Sequence, residues 1–298
     1  MPHHYPIFET HAHLYFPNFK GITNEIIKGA QKVRVSKMVQ ISCEEISSLA
    51  ALKIAKEQEG QYSTIGLHPC DVLNIGEKDP KWQNYEGLED YKPQCRDLED
   101  LVAFWKELYV RNKEHIVAVG ETGFDRYHDD SESLLAAQKK SLKAHLELAQ
   151  EFQLPLVIHN RNSRDECLEF LEAEFDRSKH PAIPGIMHCF CEDIGYAQKV
   201  TQDYGFMLGI GGVATYPAST AIREVIKNIP LTFLVTETDS PFLTPHQAKQ
   251  HSDKKRVLNE PKYLPEVVEL IADLKKISIN KCADILFENA LRTFQLNR

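Results

Sequence analysis

Five histidines and two acids stand where apolar runs of this chain end: His11 and His13 after PIFET, His68 after STIGL, Glu121 after IVAVG, His159 after LPLVI, His188 after GIM, and Asp239 after LTFLVTET. A polar group that closes an apolar strand costs burial energy unless a partner compensates it, and one bound ion can compensate several at once. His11 and His13 are two apart, so in an extended strand both imidazoles project to one face. Any one of these residues alone reads as a satisfied structural group. Their joint arrival at strand ends is what a metallohydrolase requires.

The elements that must position them are legible in the same runs. Eight apolar, β-rich stretches are expected as strands: 7–9, 37–42, 62–67, 116–120, 155–159, 185–190, 205–211 and 231–239. Helical periods fall between them, as in EEISSLAALKIAKEQEG and ESLLAAQKKSLKAHLELAQEF. Strands apolar throughout, each followed by a helix, predict a single-domain (β/α)8 TIM barrel over residues 1–298. In such a barrel the carboxyl ends of the strands carry the site, and every candidate above falls there. Residues 71–98, polar and punctuated by Pro and Gly, are expected as a long loop after the third strand that could roof the site. Lys254, Lys255 and Arg256 form the densest basic run and read as a solvated loop, with a phosphate contact as the other reading.

Composition sets the limits. The chain has 298 residues, 42% hydrophobic and 26% charged, which is ordinary for a globular protein. No signal-peptide pattern and no run of about 18 apolar residues occurs, so a cytoplasmic protein without membrane contact is expected, as a monomer. The seven cysteines are scattered without a CxxC pair and are expected to be reduced. A formal charge of −8 argues against a broad nucleic-acid footprint. It does not exclude a nuclease, because divalent ions in an acidic site supply positive charge locally.

Two-metal hydrolases commonly use a carboxylate to bridge ions about 3.5–4 Å apart, and Glu121 is expected to be that bridge. His11, His13 and Asp239 then complete one ion, and His159 with His188 completes the other. Nitrogen and oxygen donors without thiolate admit Zn²⁺, Mn²⁺, Mg²⁺ or Ni²⁺.

The motifs ETHAHL, GLHP (66–69), VGETGFD (119–125), LPLVIHNR (154–161), HCF (188–190), ETDSPFL (237–243) and NEP (259–261) resemble the signatures of the TatD family of metal-dependent deoxyribonucleases. They occur in family order, and ENALRTFQL (288–296) resembles the family's C-terminal helix. The resemblance implies a TIM barrel, a two-metal site held by His11, His13, Glu121, His159, His188 and Asp239, and cleavage of DNA, often as a 3′ to 5′ exonuclease. It also implies a place near substrate for His68, whose other reading is a histidine bonded to backbone. Arg161, two past His159, is expected to contact phosphate. Glu237 is expected to orient a ligand histidine, Glu9 to stand behind the ligands, and Asn259 with Glu260 to shape the rim where substrate binds. Two departures stand out: Glu9 replaces the family's aspartate before HxH, and Leu258 replaces the arginine that commonly precedes NEP.

The expected mechanism is in-line attack by a metal-activated water, with Asp239 accepting its proton and His68 protonating the leaving oxygen. Three rivals remain. A small-molecule amidohydrolase or lactonase often bridges its ions with a carboxylated lysine, where this chain has Glu121. An esterase acting on mischarged aminoacyl-tRNA would use the same ions on an acyl carbon. An inactive scaffold would lack ligands, and none is missing here.

Overall fold

The computed structural model of the chain describes residues 5–76, 85–250 and 257–297. In order it forms β1 (Ile7–Ala12), α1 (Thr23–Lys32), β2 (Val35–Gln40), α2 (Glu45–Glu57), β3 (Gln61–Ile65), α3 (Leu98–Arg111), β4 (Ile116–Asp125), α4 (Glu132–Phe152), β5 (Leu156–Arg161) and α5 (Arg164–Glu174). It continues with β6 (Gly185–Met187), α6 (Ile194–Gln202), β7 (Met207–Ile210), α7 (Thr220–Asn228), β8 (Leu234–Thr236), α8 (His246–Gln250), α9 (Leu264–Lys275) and α10 (Ile279–Thr293). The strands are ordered β1 to β8 in one sheet. Ala12 bridges in parallel to Ser240, just past β8, so the first and last strands are neighbours. This is the (β/α)8 barrel that the alternation of runs predicts. No helix among the described residues is long and apolar enough to cross a membrane.

The chain divides into two compact units, Met1–Leu14 with Gly21–Val39 and His188–Arg298, and Tyr15–Lys20 with Gln40–Met187. In the first, β1 is buried at every position. Phe8 packs on Phe287 and Phe294 of α10, with ring centroids 5.9 and 5.7 Å apart. Asn289 of α10 donates to the carbonyls of Leu231 and Leu234 at 2.8 Å, tying the helix to the start of β8.

In the second unit, α4 starts and ends where its periodicity predicts. Ser131 caps it by accepting from the Leu134 amide, and Gln153 closes it in the left-handed region. Its inward stripe includes Leu135, Gln138, Leu142, His145 and Ala149. His145 is fully buried; its Nδ1 lies 2.7 Å from the Ser141 carbonyl, and its Nε2 accepts the Leu67 amide at 3.0 Å. It therefore braces the segment leading to His68 as a neutral imidazole.

Burial lowers the His145 pKa from 6.5 to about 4. The unfolded chain consequently takes up this proton first, and the contribution of neutral His145 is complete above pH 6.5 and drains away as pH falls toward 4. The stability advantage of wild type over His145→Gln should shrink by about 2 kcal/mol between pH 7 and pH 5 in urea unfolding. The difference between the two proteins is the quantity to read, because Glu9, pushed up to about 8 by its own burial, titrates with the opposite effect. A difference independent of pH would contradict the neutral-imidazole assignment.

Between Asp71 and Leu98 the described residues form neither helix nor strand, as expected for the long loop. Its later part is anchored. Tyr85 is buried among Tyr15, Phe16, Ile46, Ala50 and Ala51. Glu45, at the start of α2, accepts from the Tyr91 hydroxyl at 2.6 Å and from the amides of Gln94 and Cys95 at 2.8 and 2.9 Å. A polar composition hid this docking, because one buried carboxylate satisfies three donors at once. Glu45→Ala should leave those donors unmatched, costing about 2–3 kcal/mol locally. Faster proteolytic cleavage at residues 85–95 is the measurement that checks it. The basic run Lys254, Lys255 and Arg256 lies outside the described residues.

Candidate metal centre

Several strands stop short of, or run past, their expected ends, and this decides how the site residues are presented. β8 is shorter than the run predicts: residues 231–233 form a short 3-10 turn, and the strand covers only Leu234–Thr236. Asp239 therefore lies three residues beyond, at φ 57°, with its amide donating to the His11 carbonyl at 2.9 Å. β4, expected to stop at Gly120, continues through Asp125 and is buried throughout. Its pairing with β5 slips between Val119 and Thr122, where β4 holds one residue more than its partner. Such a bulge re-aims the side chain that it carries, here Glu121. At Gly123 (φ 140°) a Cβ would collide with the His159 carbonyl, so glycine permits the close approach of β4 to β5.

In the first unit, the Nε2 atoms of His11 and His13 lie 3.2 Å apart. Asp239 Oδ1 stands 3.6 Å from the former and 3.4 Å from the latter. Burial would raise the Asp239 carboxyl, but His13, His11 and His188 around it outweigh that and hold it below the ordinary carboxylate range. The His188 ring stacks on His11 at 3.8 Å, so within this unit His188 belongs beside His11. Its Nδ1 is 3.2 Å from Glu237 Oε1, an arrangement that leaves the lone pair on Nε2. Glu237 Oε2 is buried and has no hydrogen-bond partner among the described residues. Glu9 Oε1 accepts the amides of His11 and Thr238 at 3.0 and 2.8 Å. It thereby ties the HxH segment to the one that carries Asp239. Asn259, expected on the rim, is instead fully buried, with its amide nitrogen donating to the Thr238 carbonyl at 2.8 Å. Its reach is spent on bracing the chain next to Asp239.

In the second unit, His159 stands between two acids, with Nδ1 2.8 Å from Glu121 Oε1 and Nε2 2.9 Å from Asp125 Oδ2. A neutral imidazole donates only once, so an Nε2–H bond to Asp125 leaves Nδ1 and Glu121 facing each other as two donors of electron pairs. A cation fits there, and Asp125 is then the carboxylate that orients a metal-binding histidine. Burial would raise Asp125, but His159, the Tyr127 amide and His68 hold it below the usual range. The sequence reading missed Asp125, although its spacing from Glu121, four residues along one strand, was the available signal. His68 Nε2 is 3.7 Å from Glu121 Oε1, while its Nδ1 accepts the Cys70 amide at 3.1 Å. Those contacts put the proton on Nε2 and make His68 a hydrogen-bond donor rather than a ligand, although it stands close to Glu121 and His159.

The donor sets thus fit divalent ions in both units: imidazole nitrogens face one another or a carboxylate, with too few protons to satisfy them. No disulfide joins the cysteines among the described residues.

Comparison with known proteins agrees with this chemistry. Residues 8–295 match the family described as TatD related DNase. The chain is 33% identical to a Bacillus subtilis protein named uncharacterized metal-dependent hydrolase YabD, over 98% of this chain and all of that one. It is 30% identical to the Mycoplasma genitalium metal-dependent hydrolase MG009, over 96% of this chain and 98% of the relative. The crystal structure of YjjV, a TatD homologue from Escherichia coli, superposes with a TM-score of 0.79 at 25% identity, covering 98% of both chains. Fold, donor chemistry and relatives together define a metal-dependent hydrolase. The chain belongs to the TatD family.

Proposed function

We propose that this protein is a two-metal phosphodiesterase acting on DNA, as the description of its family suggests. His11, His13 and Asp239, with His188 beside them, would hold one ion, and Glu121 with His159 would hold another. From sequence, Glu121 is also the shared ligand. Such ions, when bound, act as Lewis acids and bring the pKa of a coordinated water near neutrality.

The chain's own groups supply the rest. Asp239, kept ionised by its histidines, accepts the proton of the attacking water. His68, with its N–H on Nε2, hydrogen-bonds the leaving sugar oxygen as charge develops there. Arg161 binds phosphate through its fork of N–H groups. The observation that favours a phosphodiester over a neutral ester or amide is Arg161 itself. It is exposed at the end of β5, two residues past His159, with no carboxylate paired to it among the described residues.

End-labelled single- and double-stranded DNA and RNA, incubated with Mg²⁺, Mn²⁺ or Zn²⁺ beside an aminoacyl-tRNA release assay, test this reading. Stepwise shortening of DNA from its 3′ end is the expected result. Release of the amino acid with every nucleic acid intact would replace it with the esterase reading.

A further inference from the structure

Arg161 does not stand alone. Its guanidinium carbon lies 3.6 Å from the ring centroid of Tyr127, and Tyr127 is 56% exposed, unusual for a tyrosine next to a buried centre. The pair is built in. Asp125 fixes His159 with one carboxylate oxygen and accepts the Tyr127 amide at 2.9 Å with the other. Asp125 is also the β4 partner of Arg161 in the sheet, and the Arg126 amide donates to the Arg161 carbonyl at 3.0 Å.

The neighbouring cation serves a different purpose. Arg126 is engaged by Glu166 at 2.9 Å and by Glu132 at 3.5 Å. Glu132 and Glu166 are therefore matched to Arg126, while Arg161 is held over an aromatic face instead. A guanidinium stacked this way keeps its N–H edge available and loses little freedom when an anion binds.

We propose that Tyr127 and Arg161 form a subsite for the nucleotide next to the scissile bond, with Arg161 on its phosphate and Tyr127 as a platform for its base. This rests on the phosphodiesterase reading above and narrows its substrate to single-stranded nucleic acid with more than one phosphate. Two residues of strand advance about 6.6 Å from His159 to Arg161, comparable to the step between successive phosphates of a single strand. An unpaired base offers its face to an aromatic ring whatever its identity, whereas a duplex hides that face.

Binding and cleavage separate the subsite from the reading on which it rests. Fluorescence anisotropy of labelled oligothymidylate is measured in EDTA for wild type, Tyr127→Ala, Tyr127→Phe and Arg161→Ala. Tyr127→Ala should weaken binding about tenfold and Tyr127→Phe hardly at all, as expected for loss of one stacked base. Arg161→Ala should reduce the salt slope by about one. In parallel, kcat/KM on the oligomer relative to bis(p-nitrophenyl) phosphate should fall about tenfold in Tyr127→Ala. Unchanged binding and an unchanged ratio would overturn the subsite while leaving the phosphodiesterase intact. Binding that responds as described in a wild type that cleaves neither substrate would support the subsite and defeat the reading beneath it.

Discussion

Replacing Glu121 with alanine or glutamine is expected to lower metal-dependent hydrolysis by three or more orders of magnitude, a loss of about 4 kcal/mol in transition-state stabilisation. Glu121 is buried, carried on a bulge of β4, and its Oε1 faces His159 Nδ1 at 2.8 Å. Removing the carboxylate leaves a single imidazole donor there, and alanine leaves the strand pairing on either side intact. Thermal melts should therefore still show a folded protein. Metal content discriminates further: a terminal ligand predicts loss of one ion, and the shared ligand read from sequence predicts loss of both. Near-wild-type activity in either variant would sink the assignment.

His68→Gln is expected to lower kcat on a natural diester by about 10²–10⁴-fold while metal content stays as in wild type. The reason is the tautomer. With Nδ1 accepting the Cys70 amide, Nε2 offers an N–H to the leaving oxygen rather than a lone pair to an ion. A p-nitrophenyl ester, whose stable leaving group needs little help, should lose far less rate than a sugar-leaving substrate. Equal losses on both substrates together with a lost ion would make His68 a ligand instead.

Much of this was legible in the chain because strand-end polar residues are conspicuous against apolar runs. The eight strands, the extent of α4 and the HxH pair followed from period and composition. What escaped notice came from the third dimension. The one-residue slip in β4 has no signature beyond glycines at 120 and 123, so Glu121 read as closing a strand that in fact continues to Asp125. Asp125 stands out only in three dimensions, because its significance lies in reaching His159 on the neighbouring strand. Asn259 read as a rim residue because NEP is polar, yet the amide is turned inward to the Thr238 carbonyl. Glu45 looks ordinary at the start of a helix, where acids are common, and only its three partners from residues 91–95 show that it anchors the loop.

Metal-free protein titrated with Mn²⁺, with bound metal and cleavage of end-labelled single-stranded DNA followed on the same samples, tests the central claim most directly. The account predicts two ions per chain at saturation, cleavage that rises with their occupancy, and none in EDTA. Undiminished cleavage in EDTA, or intact DNA with two ions bound, would contradict it.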